Sequence, residues 1–290
     1  MRLIPNFELK QKARAALKDN WQIALMVALI ASLPSLASQV VAIMTQSSTV
    51  QTLNSLMSTM QQNTTVNDVM LLLEESGITA GKYMPSVLVG IISALLSPFL
   101  TLGMLNYFFK LLRGEEDALI GTVFSRKNCF FKAIGLNLMI FVRTFLWMLP
   151  GLAMEILALV LLPVLYDSAF FIITLLMYAG PLTMMILGIR ATLHYAMATR
   201  FMAETPSMGI NQCIRESVNM MRHRKMLLFS LEVSFMLLHL GITLLETLLL
   251  GMFGPVLAST LSMALSFTLN VYVQMAVSAF YLAYRQPSAI

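Results

Sequence analysis

From residue 133 to residue 199 the chain carries four charged side chains, Arg143, Glu155, Asp167 and Arg190, in 67 residues. A soluble fold carries about a quarter charged residues and clothes its exterior with them. This stretch has far too few for a water-facing surface, and 67 residues exceed what one membrane crossing needs. A second interval, Trp21 to Met44, has no charge across 24 residues, enough to cross a hydrocarbon core of about 30 Å at 1.5 Å per residue. With 58% hydrophobic and 11% charged residues in 290, the chain reads as one all-α integral membrane domain, a polytopic transmembrane helix bundle. The net charge of +5 does not point to nucleic acid, because the basic residues flank apolar segments instead of forming one patch.

Residues 6 to 20 predict an interfacial amphipathic helix, with Asn6 as its cap, Glu8 in its first turn and Leu9, Ala13, Ala16 and Leu17 in one apolar stripe. The apolar run after it is too long for the h-region of a signal peptide and no small-residue cleavage site closes it, so the first span is expected to be retained. That span covers 21–44, with Trp21 as a belt residue and Pro34 as a kink. Residues 45–82, rich in Gln, Ser, Thr, Asn and Met, form an outer loop that is expected to be partly helical. A second span covers 83–109 and ends where charge returns, in Lys110 to Asp117. The 133–199 interval divides at Tyr166-Asp167-Ser168 into a span 133–165, interrupted at Pro150-Gly151, and a span 169–199 that contains Gly180-Pro181. Three shorter spans are the competing division. Residues 200–226 form a basic loop holding a second amphipathic helix, capped by Ser207 after Pro206, with Ile210, Ile214, Val218 and Met221 facing inward. Spans 227–250 and 255–283 follow, joined by a turn at Gly251 to Pro255.

Charge asymmetry chooses between the divisions, since cytoplasmic loops hold the excess of Lys and Arg. With the N-terminus inside, six spans place 16 of the 19 basic residues on the inner side and only Lys82 outside. Three spans in 133–199 would expel the five basic residues of 200–226, so two spans are expected. Both termini then lie in the cytoplasm, at a plasma membrane. Cys129 and Cys213 fall on that side without a neighbouring Cys or His at ligand spacing, and read as free thiols.

Several segments resemble the bacterial, largely Gram-positive membrane protein family called domain of unknown function 975. They are Glu8-Leu9-Lys10 with Ala13 to Trp21, then Phe108 to Lys110 leading into Arg113-Gly114-Glu115-Glu116, then Leu149-Pro150-Gly151. Tyr195 to Ala198, Pro206, Ile214, Ser217, Met221, Lys225 and Phe280-Tyr281 complete the match. Thr205-Pro206 stands where the family often has Asn-Pro, and the outer loop is long and Met-rich. The resemblance implies a multi-pass plasma-membrane protein without an assigned activity.

Ionisable groups inside spans are the candidate site, because a charge at the bilayer centre costs about 2.5 to 3.5 kcal/mol even on insertion scales. Glu232, His239 and Glu246 follow one another at i, i+7 and i+14 on one face of the fifth span. That stripe suits a proton or cation path, with His239 able to change charge near neutral pH, and equally suits interhelical pairing. Arg143 and Arg190 are expected well inside spans three and four, with Glu232 as the partner of Arg190. Asn270 and Gln274, at i and i+4 on the sixth span, line a cavity or pack helices. Prolines 34, 98, 150 and 181 match the broken helices of transporters and also those of inert spans. The basic inner loops offer anionic lipid headgroups about 1 kcal/mol per well-placed cation.

No cofactor and no metal is expected. His194, His223 and His239 are dispersed, and Met57, Met60 and Met70 lack the clustering of a copper(I) site. No His-Glu-x-x-His, Gly-x-Ser-x-Gly, Walker or dinucleotide motif occurs, so a non-catalytic role is expected. Two functional classes stay open. One is an accessory, scaffold or envelope and lipid homeostasis protein, and the other a small-solute or proton-coupled transporter.

Overall fold

A computed structural model describes residues 5–60, 80–115 and 119–285. The outer-loop residues Asp68, Met70, Glu74 and Glu75 lie outside them, as do Glu116 and Asp117 of the first inner loop. Among the described residues the chain is helical, without a strand.

Helix α1, Asn6–Leu17, buries Leu9, Ala13 and Leu17 completely, as their spacing predicts. Asn6 is not its cap: Pro5 takes that position, and the Asn6 amide donates instead to Ser230 Oγ at 2.9 Å. Helix α2, Trp21–Met60, continues beyond the apolar run into the expected outer loop, part of which is therefore helical. Helix α3, Ala80–Arg113, packs along α2, and Ser93 Oγ donates to the Pro34 carbonyl at 2.5 Å. Gly114, at φ 70°, stops α3 by allowing the Glu115 N–H to reach back to Lys110 O at 3.0 Å, a closure that a side-chain-bearing residue resists.

Two short 3-10 turns, Ile120–Phe124 and Lys127–Cys129, then lie on α3. The approach is so close that a Cβ at Gly103 would overlap the Val123 carbonyl. Asn106 fixes the first turn, donating to Ser125 Oγ at 3.1 Å and accepting from Arg126 at 2.9 Å.

Helix α4, Phe130–Tyr195, is continuous in backbone type but doubles back on itself. A straight helix would hold Trp147 and His194 about 70 Å apart; their rings are 5.8 Å apart. Thr183 Oγ1 likewise reaches Met154 Sδ at 3.9 Å, and Cβ atoms on Gly151 or Gly180 would collide with the opposing arm. The reversal falls between Leu161 and Thr174, around the expected Tyr166-Asp167-Ser168 division. Pro150 and Pro181 do not interrupt the arms, and the adjacent glycines act through the closeness that they permit.

Helices α5, Ala198–Glu204, and α6, Ile210–Met221, follow. Here the structure corrects the expected loop: five of the seven residues of α5 are buried, including Arg200 and Met202. Ser207 is not the cap of α6, which starts after Gly209 with no side-chain cap and buries Cys213, Ile214, Ser217, Met220 and Met221. Both cysteines are free and buried. Helix α7, Lys225–Phe253, meets α8, Pro255–Tyr284, through Gly254 at φ 81°, with Pro255 at the first helical position.

Among the described residues six helical stretches are long and apolar enough to cross a membrane, one overlapping each expected span. The core gathers at one end of the bundle, where Tyr107, Phe108 and Phe109 of α3, Met202 of α5, Met275 and Tyr281 of α8 and the α1 stripe meet. Toward the other end Leu237, Leu244 and Leu248 of α7 and Leu157 and Val160 of α4 stay exposed. An apolar surface of that extent suits lipid, not water. The helices are longer than the roughly 20 residues a crossing needs, and the surplus builds the packed end.

Candidate functional site at the packed end of the bundle

Arg200 and Glu204 stand one turn apart on α5, so both side chains face the same neighbour, α8. Glu204, with its side chain 8% exposed, pairs with Arg113 from the end of α3 and Arg285 from the end of α8. Tyr281 donates its hydroxyl to Glu204 Oε2 at 2.7 Å, and Arg285 also donates to Thr205 Oγ1 at 3.3 Å. One carboxylate thus joins the last turn of three helices, and the Phe109 and Phe201 rings lie 5.3 and 5.0 Å from the Tyr281 ring. Both carboxylate oxygens accept, Oε1 from the two arginines and Oε2 from Tyr281, which offsets the burial of the charge.

One turn along α5, Arg200 is 8% exposed. It donates to Ala196 O at 2.8 Å and to Gln274 Oε1 at 2.9 Å, while its Nε is buried without a partner. Thr192, Arg200, Glu232 and Gln274 line a cavity of about 280 Å³ beside it. Glu232 shares this cavity with Arg200, whereas Arg190, its expected partner, lines a different one. The reason is the burial of α5, a segment that its composition placed in a loop.

Ser217 closes the break between α4 and α5. Fully buried, it accepts from the Met197 N–H at 3.2 Å and donates to His194 O at 2.8 Å. These are backbone groups that the interrupted helix leaves unpaired.

The other sequence candidates separate into different places. Arg143 donates to Asn211 Oδ1 of α6 at 3.2 Å. Arg190 sits 5.6 Å over the Trp147 ring and, with Arg222 and Lys225, lines a second cavity. Glu246 accepts from Ser262 Oγ at 2.7 Å. His239 has a half-exposed ring, and Asn270 is exposed and outside the cavity that Gln274 lines. Glu232 and Glu246 of the α7 stripe therefore face α8, but they meet different groups at different levels. Sequence reasoning missed Glu204, Arg200, Tyr281 and Arg113 as a unit. Their only signal was the Arg-x-x-x-Glu spacing at the edge of an apolar stretch, at 200 and 204. Among the described residues no group of three His, Cys, Asp or Glu side chains is placed to hold a metal.

Away from the spans, burial pushes the Cys213 thiol of α6 up to about 11, against smaller opposing effects of a backbone hydrogen bond and Lys132.

Several of the segments that carried the family resemblance meet in this packed end, among them Leu9 and Ala13, Phe108 and Phe109, Tyr195 to Ala198, Ile214, Met221 and Phe280-Tyr281, whereas Leu149-Pro150-Gly151 lies outside it. The sequence model of one family matches residues 1–288. The chain belongs to the family Protein of unknown function (DUF975). No curated protein and no solved structure matches it. For DUF975 membership, Ser217, Tyr281 and Arg113 acquire a physical meaning, because each ties two or more helices of the core together.

Proposed function

We propose that the protein is a non-catalytic multi-pass component of a plasma membrane, with both termini cytoplasmic, acting as an accessory or scaffold in envelope or lipid homeostasis. The observation that carries this reading is the dispersal of the intramembrane polar groups. Arg143 meets Asn211, Arg190 meets Trp147, Glu246 meets Ser262 and Glu204 meets two arginines and a tyrosine, each at a separate helix contact. A transport path needs such groups to converge on one hydrated route. Orientation rests on the positive-inside bias, since residues 5–20, 110–115, 119–132 and 200–226 together with Arg285, at the packed end, carry 15 of the 19 basic residues.

A second reading is transport of a small solute or protons, favoured by the cavity in which Arg200 keeps an unpartnered Nε beside Glu232. The two separate in vesicles with a membrane-impermeant thiol reagent, using single cysteines at Glu232, His239 and Lys12 in a background lacking Cys129 and Cys213. The scaffold reading expects Glu232 and His239 to be protected and Lys12 to label only in inside-out vesicles. Labelling at Glu232 and His239 establishes a hydrated path and installs transport, and labelling of Lys12 on intact cells reverses the orientation.

A further inference from the structure

Two walls of unlike chemistry meet between the second arm of α4 and the start of α7. Arg190 of α4, Arg222 just before α7 and Lys225 at its first position line one side of a cavity of about 430 Å³. No carboxylate lines it among the described residues. Arg190 and Lys225 are near enough for their charges to act on each other. Ile186, Ile189 and Phe229 form the continuing wall and are exposed, so the cavity opens sideways onto the surface that faces lipid. Leu193 closes its back and borders the Arg200 cavity as well.

We propose that this cavity binds an anionic phospholipid, with the phosphate held between Arg190 and Lys225 and an acyl chain along Ile186, Ile189 and Phe229. The proposal deepens the lipid arm of the function given above and rests on its membrane embedding. Three cations without an acid repel one another until an anion enters, and a guanidinium fixed over an indole presents its remaining donors in one plane, as phosphate recognition needs. The volume suits a headgroup, since ligand sites run from about 300 to 1,000 Å³. The apolar wall selects a lipid over a free phosphate: a soluble anion gains nothing from Ile189 or Phe229, whereas an acyl chain covers them. The position of the cations at the start of α7 places the headgroup at the inner boundary, where anionic lipids draw basic residues.

The test uses the purified full chain in detergent, titrated with dioleoyl phosphatidylglycerol or dioleoyl phosphatidylcholine, with retained lipid counted by native mass spectrometry. Two cations at about 1 kcal/mol each give phosphatidylglycerol a preference of about thirtyfold. Arg190→Gln with Lys225→Gln should bring the two lipids to parity. Lys12→Gln with Arg14→Gln on α1 should keep the preference. Leu193→Trp, which fills the cavity without altering charge, should also abolish it and serves if the double Gln variant does not fold. Equal retention of both lipids by the wild type overturns the proposal, as does a preference that survives in the folded double Gln variant or in Leu193→Trp. Displacement of the lipid by an equal concentration of glycerol 1-phosphate overturns it in favour of a soluble phosphate. Binding in detergent is independent of orientation and of transport, so its failure leaves the vesicle result standing.

Discussion

Glu204→Leu removes the carboxylate on which α3, α5 and α8 converge while keeping a side chain of similar volume. Its cost follows from what is left behind. Tyr281 is fully buried and loses the acceptor of its 2.7 Å hydrogen bond, an unsatisfied group worth about 1 to 3 kcal/mol. Arg285, a quarter exposed, keeps Thr205 but loses its counter-charge, for about 1 to 2 kcal/mol. Arg113 is 44% exposed and water takes over, so its share stays below about 1 kcal/mol. Together these give about 2 to 6 kcal/mol, which brackets the cost of breaking a buried ion pair from one side. Equilibrium unfolding by sodium dodecyl sulfate in mixed micelles, followed by circular dichroism, reads the difference directly. Adding Arg285→Leu to Glu204→Leu should cost less than Arg285→Leu alone, because the second change removes a charge already stranded. A Glu204→Leu variant within about 1 kcal/mol of wild type, or strict additivity in the pair, would refute the view that this carboxylate holds the three helix ends.

Ser217→Ala should cost about 1 to 3 kcal/mol in the same assay, since it strands the Met197 N–H and the His194 carbonyl in the core, and Ser217→Thr should recover little because the site is fully enclosed. Gly103→Ala should lower stability by about 1 to 3 kcal/mol and loosen the 119–129 turns, read as faster proteolysis there, because a Cβ overlaps the Val123 backbone. The Cys213 thiol, raised from 9.0 to about 11, should resist alkylation at pH 8 in the folded protein and react on unfolding. Its folded value lies above its unfolded one, so the stability linked to it is complete below about pH 9 and is lost as pH rises toward 11. Cys213→Ala should remove that alkaline component. Gly180→Leu should separate the arms of α4, seen as loss of contact-range cross-linking between cysteines at Thr183 and Met154.

The six spans, the α1 stripe and the α4 reversal were legible because each is written in a local quantity: charge-free length, a 3.6-residue period, or the placement of Lys and Arg. Leu9, Ala13 and Leu17 face the core for the same reason that their spacing gives one face. Helix ends were less legible. Asn6 and Ser207 are good caps by type, yet Asn6 is drawn to Ser230 and α6 begins after Gly209, because tertiary partners outbid the local hydrogen bond. The candidate residues were chosen as polar groups within the expected spans, but their partners were not legible, since helix rotation and relative depth are set by packing.

What the sequence determined by itself is the solvent. So few charges in such long apolar runs admit only lipid around the outer surface, and the basic residues fix one end of the helices as different from the other. Only the tertiary structure decided where the charges go. Residues 198–204 read as loop because they follow a span and carry Arg and Glu, yet they form the most buried short helix of the core. Burying them requires Arg113, Gln274, Tyr281 and Arg285 at one place, and these residues are up to 172 positions apart. Pairing across such separations leaves no periodic trace in a single chain, because the desolvation of Glu204 and Arg200 is compensated by groups that only the folded bundle brings within hydrogen-bonding distance.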